Sequence, residues 1–214
     1  MYKIIKRLFD IFLSSLALII LSPLMILIII ILNFTGEKEV FYFQERIGYK
    51  NSTFQIWKFA TMLKDSMNLG TGSITLQNDF RVTKFGKFLR KTKINELPQL
   101  INIFKGDISI VGPRPLVKED FIAYSKLIQQ KIYNIKPGLT GIGSIVFRDE
   151  EKIISENFKN KDPHKYYKDL IAPYKGEIEF YYQSNRNLFM DLKIIFLTGW
   201  IILFPSSKLH FKFF

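Results

Sequence analysis

The sequence predicts an α/β fold in which an N-terminal membrane helix precedes a compact, mostly helical domain with a small sheet. Residues 11–32 carry no charge, which indicates the membrane helix. After residue 36 the composition becomes that of a soluble but basic domain, in which short strand-like and helix-like segments alternate. We therefore divide the chain into residues 1–36, the basic N-terminus with its membrane helix, and residues 37–214, a domain that lies against a membrane.

The composition excludes several kinds of functional site. The 214 residues contain 31 Lys and Arg against 19 Asp and Glu, no cysteine and two histidines. Without cysteine there can be no disulfide, thiolate metal site or cysteine nucleophile. Any divalent metal must be held by oxygen ligands, which favours Mg²⁺ or Mn²⁺. The net charge of +12 suits phospholipid headgroups or a phosphorylated substrate, and it requires no nucleic-acid partner.

The apolar run at residues 11–32 is long enough for a membrane helix. As a helix it measures about 33 Å, against a hydrocarbon core of about 30 Å. It is long for the apolar part of a signal peptide, and no small-residue cleavage site follows it. Pro23 removes one helix hydrogen bond, although the hydroxyl of Ser22 can satisfy the freed carbonyl. Because basic residues flank both ends, the pattern leaves a straight span and a re-entrant hairpin equally open.

The first half of the domain contains two predicted strands and two predicted helices. The strands are expected at residues 40–43 and 54–59, on either side of a turn at 48–51. Residues 81–93 predict a helix with one basic face, formed by Arg81, Lys84, Lys87 and Arg90. Residues 95–104 predict an amphipathic helix with Asn95 as its N-cap.

The second half is expected to alternate in the same way. The prediction comprises strands at 107–111 and 142–147, a long helix at 116–135, further helices at 149–158 and 165–183, and a core or interfacial helix at 194–204. The last of these apolar runs is too short to span a bilayer.

Two of the short motifs indicate anion chemistry. Residues 91–100 lead from a basic run into a helix N-terminus, where free amides and the helix dipole attract anions and Arg90 can bind a phosphate. Glu96 lies beside this positive site as a candidate metal ligand, base or nucleophile. Residues 105–115 hold Arg114 in a rigid Gly-Pro turn that suits a diphosphate. The alternative for the first motif is plain helix capping, and the alternative for the second is a turn with a solvated arginine.

A third motif, the tight turn at residues 137–141, either approaches a ligand closely or connects two elements. In their order along the chain, these motifs resemble those of the bacterial sugar transferases, also called monotopic phosphoglycosyl transferases. The matching segments are residues 6–10, Ser22-Pro23, 44–48, 58–59, 95–100, 112–115, 137–141 and 191–193. The resemblance covers nearly the whole chain, which looks like the minimal catalytic form of the family.

The resemblance implies an activity, a cofactor and a location. Such enzymes transfer a sugar-1-phosphate from a UDP-sugar to undecaprenyl phosphate and release UMP, which is the first membrane step in building an O-antigen, capsule, exopolysaccharide or glycoprotein glycan. They use Mg²⁺ and a re-entrant helix broken at the Ser-Pro, so that both ends stay cytoplasmic. The chain is accordingly expected at the bacterial cytoplasmic membrane, in contact with membrane lipids and with its catalytic domain on the cytoplasmic face. A homodimer is left open.

The resemblance also assigns roles to individual residues. Glu96 is the surviving acid of the catalytic pair and a Mg²⁺ ligand, and Asn95 occupies the nucleophile position and is a second metal ligand. The remaining assignments are phosphate binding by Arg90 and Arg114, a supporting cation at Lys58, and the helix break at Ser22 and Pro23.

The chain departs from the family pattern where the family has its nucleophilic Asp, because that position is Asn95. A carboxamide is a very poor nucleophile towards phosphorus, although its oxygen can still bind Mg²⁺. Three hypotheses follow: Glu96 becomes the nucleophile, the acceptor phosphate attacks directly, or the chain is a catalytically silent paralogue that binds a substrate or a partner. Two smaller departures are Ala60 in place of an arginine and residues 142–148 in place of a Trp-Gln-Val run.

Overall fold

A computed structural model describes residues 1–72, 74–157, 162–207 and 209 of the chain. The described residues are mostly helical, with four short strands. The helices are α1 (Tyr2–Phe34), α2 (Lys84–Lys91), α3 (Gln99–Lys105), α4 (Lys118–Ile122), α5 (Lys126–Lys131), α6 (Ile142–Val146), α7 (Glu150–Asn157), α8 (Pro163–Tyr166), α9 (Ala172–Asn185) and α10 (Leu188–Leu203). The strands are β1 (Phe41–Ile47), β2 (Thr53–Phe59), β3 (Ser109–Val111) and β4 (Gly138–Thr140).

The N-terminal apolar run forms one continuous helix, α1, which is long and apolar enough to cross a membrane. Only 17% of its most apolar window is buried. Pro23 lies inside the helix, and the Ser22 hydroxyl donates a hydrogen bond of 2.8 Å to the carbonyl of Ile19. That carbonyl is the acceptor that an N–H at position 23 would have used, so the side chain replaces the lost main-chain bond. The disruption at Ser22-Pro23 is therefore local, and helix α1 continues through it.

One face of α1 packs on the domain from end to end. Its buried residues are Asp10, Ser14, Met25, Ile28 and Leu32. At the start of the helix, Lys6 pairs with Asp191 of α10 at 2.7 Å. At its end, Leu32 packs with Phe59 of β2 and Leu89 of α2. Both ends of the apolar helix thus contact the domain that follows it.

The hairpin β1–β2 confirms the first two predicted strands and extends both of them. The strands pair antiparallel with Phe41 opposite Phe59 and Ile47 opposite Thr53. The connecting turn places Lys50 and Asn51 in the left-handed region, as a tight reversal between strands requires. β3 and β4 form a separate parallel pair that confirms the predicted strand at 107–111.

The predicted long helix at 116–135 and strand at 142–147 are wrong. The first region divides into α4 and α5, because Ser125 caps α5 by accepting a hydrogen bond from the amide of Ile128. The second forms α6, whose apolar residues Ile142 and Ile145 are both buried. A short apolar run buried in the core fits a strand or a helix equally well by sequence pattern alone.

Two further expectations about local structure are wrong. Arg81 is not part of a basic helix face, because α2 begins only at Lys84, after the Thr83 cap. Its guanidinium is buried and pairs with Asp79 at 2.6 Å. Asn95 does not cap a long helix, because it lies in a separate 3-10 turn, Ile94–Glu96, before α3.

The helices near the C-terminus follow the prediction more closely. α7 and the run from α8 to α9 confirm the helices expected at 149–158 and 165–183, although residue 158 lies outside the described residues. In α10 the core face carries Ile194, Leu197 and Ile201. Phe189 and Phe196 on the same helix are exposed. α10 therefore combines the two roles expected of this region, a core face and an apolar outer face.

Candidate active site

A cleft of about 540 Å³ brings most of the predicted site residues together. Its walls come from the hairpin, the segment between α2 and α3, the turn at 112–115, and α7 and α9. Lys58, Arg90, Asn95 and Arg114 line it. Glu96 contacts two of these cations from the side. Ser22 and Pro23 lie on α1 and do not contribute to the walls.

Lys58 is positioned by the contact between β2 and α3. The side chain of Asn102, fully buried on α3, accepts a hydrogen bond of 3.0 Å from the amide of Trp57. It also donates one of 2.9 Å to the carbonyl of Gln55. These two bonds fix the strand on both sides of Ile56, just before Lys58, because an amide side chain can copy the pairing of a neighbouring strand.

Asn95 and Glu96 are presented by the 3-10 turn Ile94–Glu96. Lys93 starts this turn in the left-handed region, with φ of 59°, which is uncommon for a residue with a side chain. Asn95 is buried, and in the described part of the chain its Oδ1 has no hydrogen-bond partner. An unpaired buried oxygen beside a polar cleft indicates an atom that can accept a hydrogen bond from a ligand or coordinate a cation.

Glu96 is held between two cations. Its Oε1 accepts a hydrogen bond of 3.1 Å from the Arg114 guanidinium, and the Lys58 ammonium lies 3.9 Å away. Burial disfavours the charged carboxylate, but the positive charges of Arg114, Lys58 and Lys93 outweigh it and hold the pKa of Glu96 well below its usual range. Glu96 is therefore ionised at neutral pH, where it cannot be a general acid and is a very weak base. Its remaining roles are to orient the two cations, to bind a metal or to act as a nucleophile.

The charge of Lys58 depends strongly on the surroundings of its ammonium group. Burial lowers its pKa to about 7, although the neighbouring Glu96 carboxylate works in the opposite direction. Lys58 therefore changes charge near neutral pH, and an anionic ligand that contacts it stabilises the charged form.

Arg114 is carried by a turn that is fixed on both sides. The Tyr133 hydroxyl donates to the carbonyl of Arg114 at 2.7 Å and accepts from the amide of Leu116 at 3.0 Å. Gly112 and Gly138 touch so closely that a Cβ at position 138 would lie 2.1 Å from the Gly112 nitrogen, so only glycine fits there. The 137–141 segment thus packs against the turn that carries Arg114 and supports it. Of the two roles expected for this segment, this contact favours the connector.

Arg90 extends from α2 across the cleft to α7. Its guanidinium pairs with the carboxylate of Glu151, and its side chain is 25% exposed. The pair closes one side of the cleft, and an incoming phosphate can compete with Glu151 for this arginine.

Sequence reasoning missed several charged residues in or beside the cleft, among them Arg46 and Glu179. Arg46 lines the cleft and donates to the carbonyl of Pro115 at 3.1 Å. Glu179 is 1% exposed, and its Oε1 accepts a hydrogen bond of 3.3 Å from the amide of Arg114. Burial raises the pKa of Glu179 to about 7. Arg46 lies in the 44–48 motif and could have been found there, whereas no pattern in the sequence distinguishes Glu179 from its charged neighbours on α9.

The residues present fit a Mg²⁺ ion only together with a phosphate. The described part of the chain has no group of three or more His, Asp or Glu side chains placed to hold a metal. Asn95 and Glu96 nevertheless offer one unpaired amide oxygen and one carboxylate. Mg²⁺ in phosphate-transfer enzymes is commonly bound by one or two carboxylates, substrate phosphates and water, which matches this incomplete set.

The family model described as bacterial sugar transferase matches residues 1–205. The exopolysaccharide production protein ExoY of Rhizobium meliloti (strain 1021) is 34% identical over 207 residues, which cover 90% of this chain and 83% of that protein. The UDP-glucose:undecaprenyl-phosphate glucose-1-phosphate transferase of Klebsiella pneumoniae is 35% identical over 198 residues, 91% of this chain and 39% of that protein. The UDP-N-acetylgalactosamine-undecaprenyl-phosphate N-acetylgalactosaminephosphotransferase of Aeromonas hydrophila is 32% identical, over 92% of this chain and 43% of that protein. The chain thus spans about two fifths of the last two relatives and most of the first.

Proposed function

The chain belongs to the bacterial sugar transferase family, and from that premise we propose that it transfers a sugar-1-phosphate from a UDP-sugar to undecaprenyl phosphate. UMP is the second product. The chain is a transferase, and its relatives include undecaprenyl-phosphate transferases of glucose-1-phosphate and of N-acetylgalactosamine phosphate. The exopolysaccharide production proteins among them support a role at the start of a surface glycan.

The observation that carries the proposal is the group of cations around Glu96. Lys58, Arg90 and Arg114 line one cleft, where Lys58 and Arg114 share the carboxylate of Glu96 and Arg90 pairs with Glu151. A diphosphate carries the same sign of charge as these carboxylates, and two oxygens of one phosphate can accept two parallel hydrogen bonds from an arginine guanidinium. The cleft is therefore suited to the diphosphate of a nucleotide-sugar.

The reaction needs one bond to form and one to break at the β-phosphorus of the donor. An oxygen nucleophile bonds to this phosphorus, and the bond to the bridging oxygen breaks with its electron pair leaving on UMP. Charge that grows on the departing phosphate is stabilised by fixed cations, and Arg114 is held rigidly enough to supply this stabilisation without rearrangement.

We place Mg²⁺, when it is bound, at Asn95 and Glu96 together with phosphate oxygens of the donor. Its contribution is to neutralise negative charge on the diphosphate. Asn95 supplies its unpaired buried oxygen, and Glu96 supplies a carboxylate that stays ionised at neutral pH. The two cations that flank Glu96 disfavour the metal on its own, so we expect metal and donor to bind together.

The identity of the nucleophile separates an active enzyme from a silent paralogue. Asn95 lacks a nucleophilic oxygen, and Glu96 is engaged by Lys58 and Arg114. These contacts favour direct attack by the acceptor phosphate over attack by Glu96. The silent alternative is favoured by Asn95 alone. The natural chain and Asn95→Asp together test it, because an enzyme adapted to asparagine turns over without repair, whereas a silent protein does not, whether or not aspartate restores turnover.

The contacts of α1 support a re-entrant arrangement in the membrane. Lys6 near the start of the helix and Leu32 near its end both contact the domain. A straight crossing would place the two ends about 30 Å apart on opposite sides of the bilayer. We propose that both ends lie on the cytoplasmic face of the bacterial cytoplasmic membrane, as the basic residues on both flanks favour.

The chain has no cysteine, so this topology can be tested with single cysteines at Lys3 and Glu37. In sealed inverted vesicles, both should react with a membrane-impermeant maleimide. Reaction of only one of them before detergent is added would contradict the re-entrant arrangement.

The activity is tested by UMP release from detergent-solubilised protein with Mg²⁺, undecaprenyl phosphate and a panel of UDP-sugars. We expect UMP only when the lipid and one particular UDP-sugar are both present. Release that does not depend on the lipid would indicate a hydrolase. Silence of both the natural chain and Asn95→Asp across the panel would support the silent paralogue.

A further inference from the structure

A second cavity, of about 370 Å³, lies between the end of α1, the end of β2 and the start of α2. Its walls are mostly apolar and include Leu32, Thr35, Ala60, Met62, Thr83 and Phe85. The volume falls within the range of small-molecule pockets. We refer to it as the α1–α2 pocket.

The α1–α2 pocket adjoins the cleft. Three residues, Glu39, Ala60 and Met62, line both cavities. Ala60 follows Lys58 by two residues, so the apolar wall begins where the cationic wall ends. A ligand that fills both cavities must have an anionic end and an apolar end.

The surroundings of the pocket match the edge of a membrane. It lies at the end of the apolar helix α1, where Phe34 is 82% exposed. On the other side, α2 exposes Phe88 next to basic residues. Exposed aromatic and basic residues side by side are typical of protein surfaces at the headgroup level.

The charges at the rim do not exclude an anionic ligand. Glu39 is paired with Lys64 at 3.4 Å. Glu37 and Lys84 line the same pocket. A phosphate that passes this rim therefore meets carboxylates with cations close by, before it reaches the arginines of the cleft.

We propose that the α1–α2 pocket binds the first isoprene units of the polyprenyl phosphate acceptor while its phosphate lies in the cleft. The proposal rests on the function proposed above and adds the acceptor's site to it. The apolar chain enters from the membrane beside the end of α1, passes Met62 and Ala60, and brings the phosphate oxygen towards the donor diphosphate. The remaining isoprene units stay in the bilayer.

Photo-crosslinking tests the location without requiring turnover. The probe is a polyprenyl phosphate with a diazirine on its first isoprene unit, added to the full chain in detergent micelles. We expect label on peptides that contain residues 32–39, 60–62 or 83–85, with excess undecaprenyl phosphate suppressing it and phosphatidylglycerol leaving it unchanged. Label confined to other segments, such as α10, would overturn the proposal, and equal suppression by phosphatidylglycerol would assign the pocket to bulk lipid instead.

A pair of substitutions at Met62 tests the same site kinetically. Met62→Glu places a charge on the apolar wall, and Met62→Leu keeps its volume and polarity. We expect Met62→Glu to raise the KM for undecaprenyl phosphate at least tenfold, and by a larger factor than the KM for the UDP-sugar, because Met62 also lines the cleft. Met62→Leu should restore the KM for undecaprenyl phosphate. An unchanged lipid KM in Met62→Glu would contradict the proposal. If the natural chain releases no UMP, the proposed function fails while the crosslinking result still decides whether the pocket binds polyprenyl phosphate.

Discussion

Replacing Glu96 by glutamine removes the carboxylate that contacts both Lys58 and Arg114, at 3.9 and 3.1 Å. The glutamine oxygen can still accept one hydrogen bond, but it carries no charge. Two cations in a largely buried site are then left without their partner. Because the Glu96 charge raises the pKa of Lys58, its loss lowers that pKa further and favours the neutral amine at pH 7.5.

The size of the effect follows from the burial of the three side chains. Removing one partner of a fully buried ion pair costs about 3–5 kcal/mol, and exposed pairs contribute about 0–1 kcal/mol. Glu96 and Lys58 are 15% and 16% exposed and Arg114 is 33% exposed, so we expect a loss of about 2 kcal/mol in the free energy of unfolding. For a chain of this length that is a fall in Tm of about 4–8 °C.

Turnover should fall much further than stability. A fixed group that supports charge in the transition state contributes about 10²-fold or more to kcat, so we expect Glu96→Gln to lose at least this factor in UMP release. Membrane association should stay intact, because α1 does not depend on this residue. Glu119→Gln, an exposed carboxylate on α4, is the matched control and should keep both Tm and kcat. If Glu96→Gln retained turnover within threefold of the natural chain, Glu96 would have no place in the mechanism.

Three further predictions concern pH and the support of the site. Burial lowers the pKa of Lys58 to about 7, so kcat/KM for the donor should fall up to tenfold per pH unit above pH 7. Lys58→Arg should flatten this fall, because arginine keeps its charge. If the natural chain and Lys58→Arg gave parallel pH profiles of kcat/KM, the result would contradict this role of Lys58. Burial raises the pKa of Glu179 from 4.5 to about 7, so its ionisation destabilises the fold as pH rises through this range. In urea unfolding, Glu179→Gln should therefore be more stable than the natural chain by up to about 3 kcal/mol at pH 8 and equal to it below pH 4.5, and a difference independent of pH would refute the reasoning. Tyr133→Phe leaves the carbonyl of Arg114 and the amide of Leu116 without the hydroxyl, so Tm should fall by the equivalent of about 1–3 kcal/mol and the donor KM should rise; an unchanged donor KM would show that the turn holds Arg114 without this contact.

Elements with a strong local pattern could be predicted from the sequence. The uncharged run at 11–32 becomes α1, and the alternating aromatic residues around Gly48 become the hairpin β1–β2. In both cases the pattern reports a property of the segment itself, its hydropathy or its period of two. Even the role of the Ser22 hydroxyl follows from proline geometry alone.

Elements that depend on distant contacts could not be predicted. Ile142 and Ile145 look like strand residues because they are apolar, but they are buried by α9 and α10 as part of a helix. Arg81 looks like one of several surface cations, yet it is buried because Asp79 and several loop carbonyls surround its guanidinium. The helices that bury Ile142 come later in the chain. Asp79 is close to Arg81 along the chain, but the carbonyls of Ser66 and Ile74 reach the guanidinium only when the loop folds around it.

The candidate site likewise contains residues that could be predicted from the sequence and one that could not. Glu96 and Arg114 lie in short motifs whose residue types already indicate phosphate chemistry, and the structure brings them within 3.1 Å. Glu179 is far from both along the chain, and only the packing of α9 against the 112–115 turn brings its carboxylate to the amide of Arg114. The pKa of Glu179 is raised as a consequence of that burial, so no sequence pattern predicts it.

The central claim, transfer of the phosphate together with the sugar, is tested most directly by following the β-phosphate of the donor. A UDP-sugar labelled with ³²P at its β-phosphorus is incubated with the solubilised chain, Mg²⁺ and undecaprenyl phosphate, and the products are separated into organic and aqueous phases. We predict that the label moves into the organic phase as a lipid diphosphate sugar, while unlabelled UMP accumulates in the aqueous phase. Label that stays in the aqueous phase as UDP while the sugar moves to the lipid would contradict the account, because it would make the chain a transferase of sugar alone.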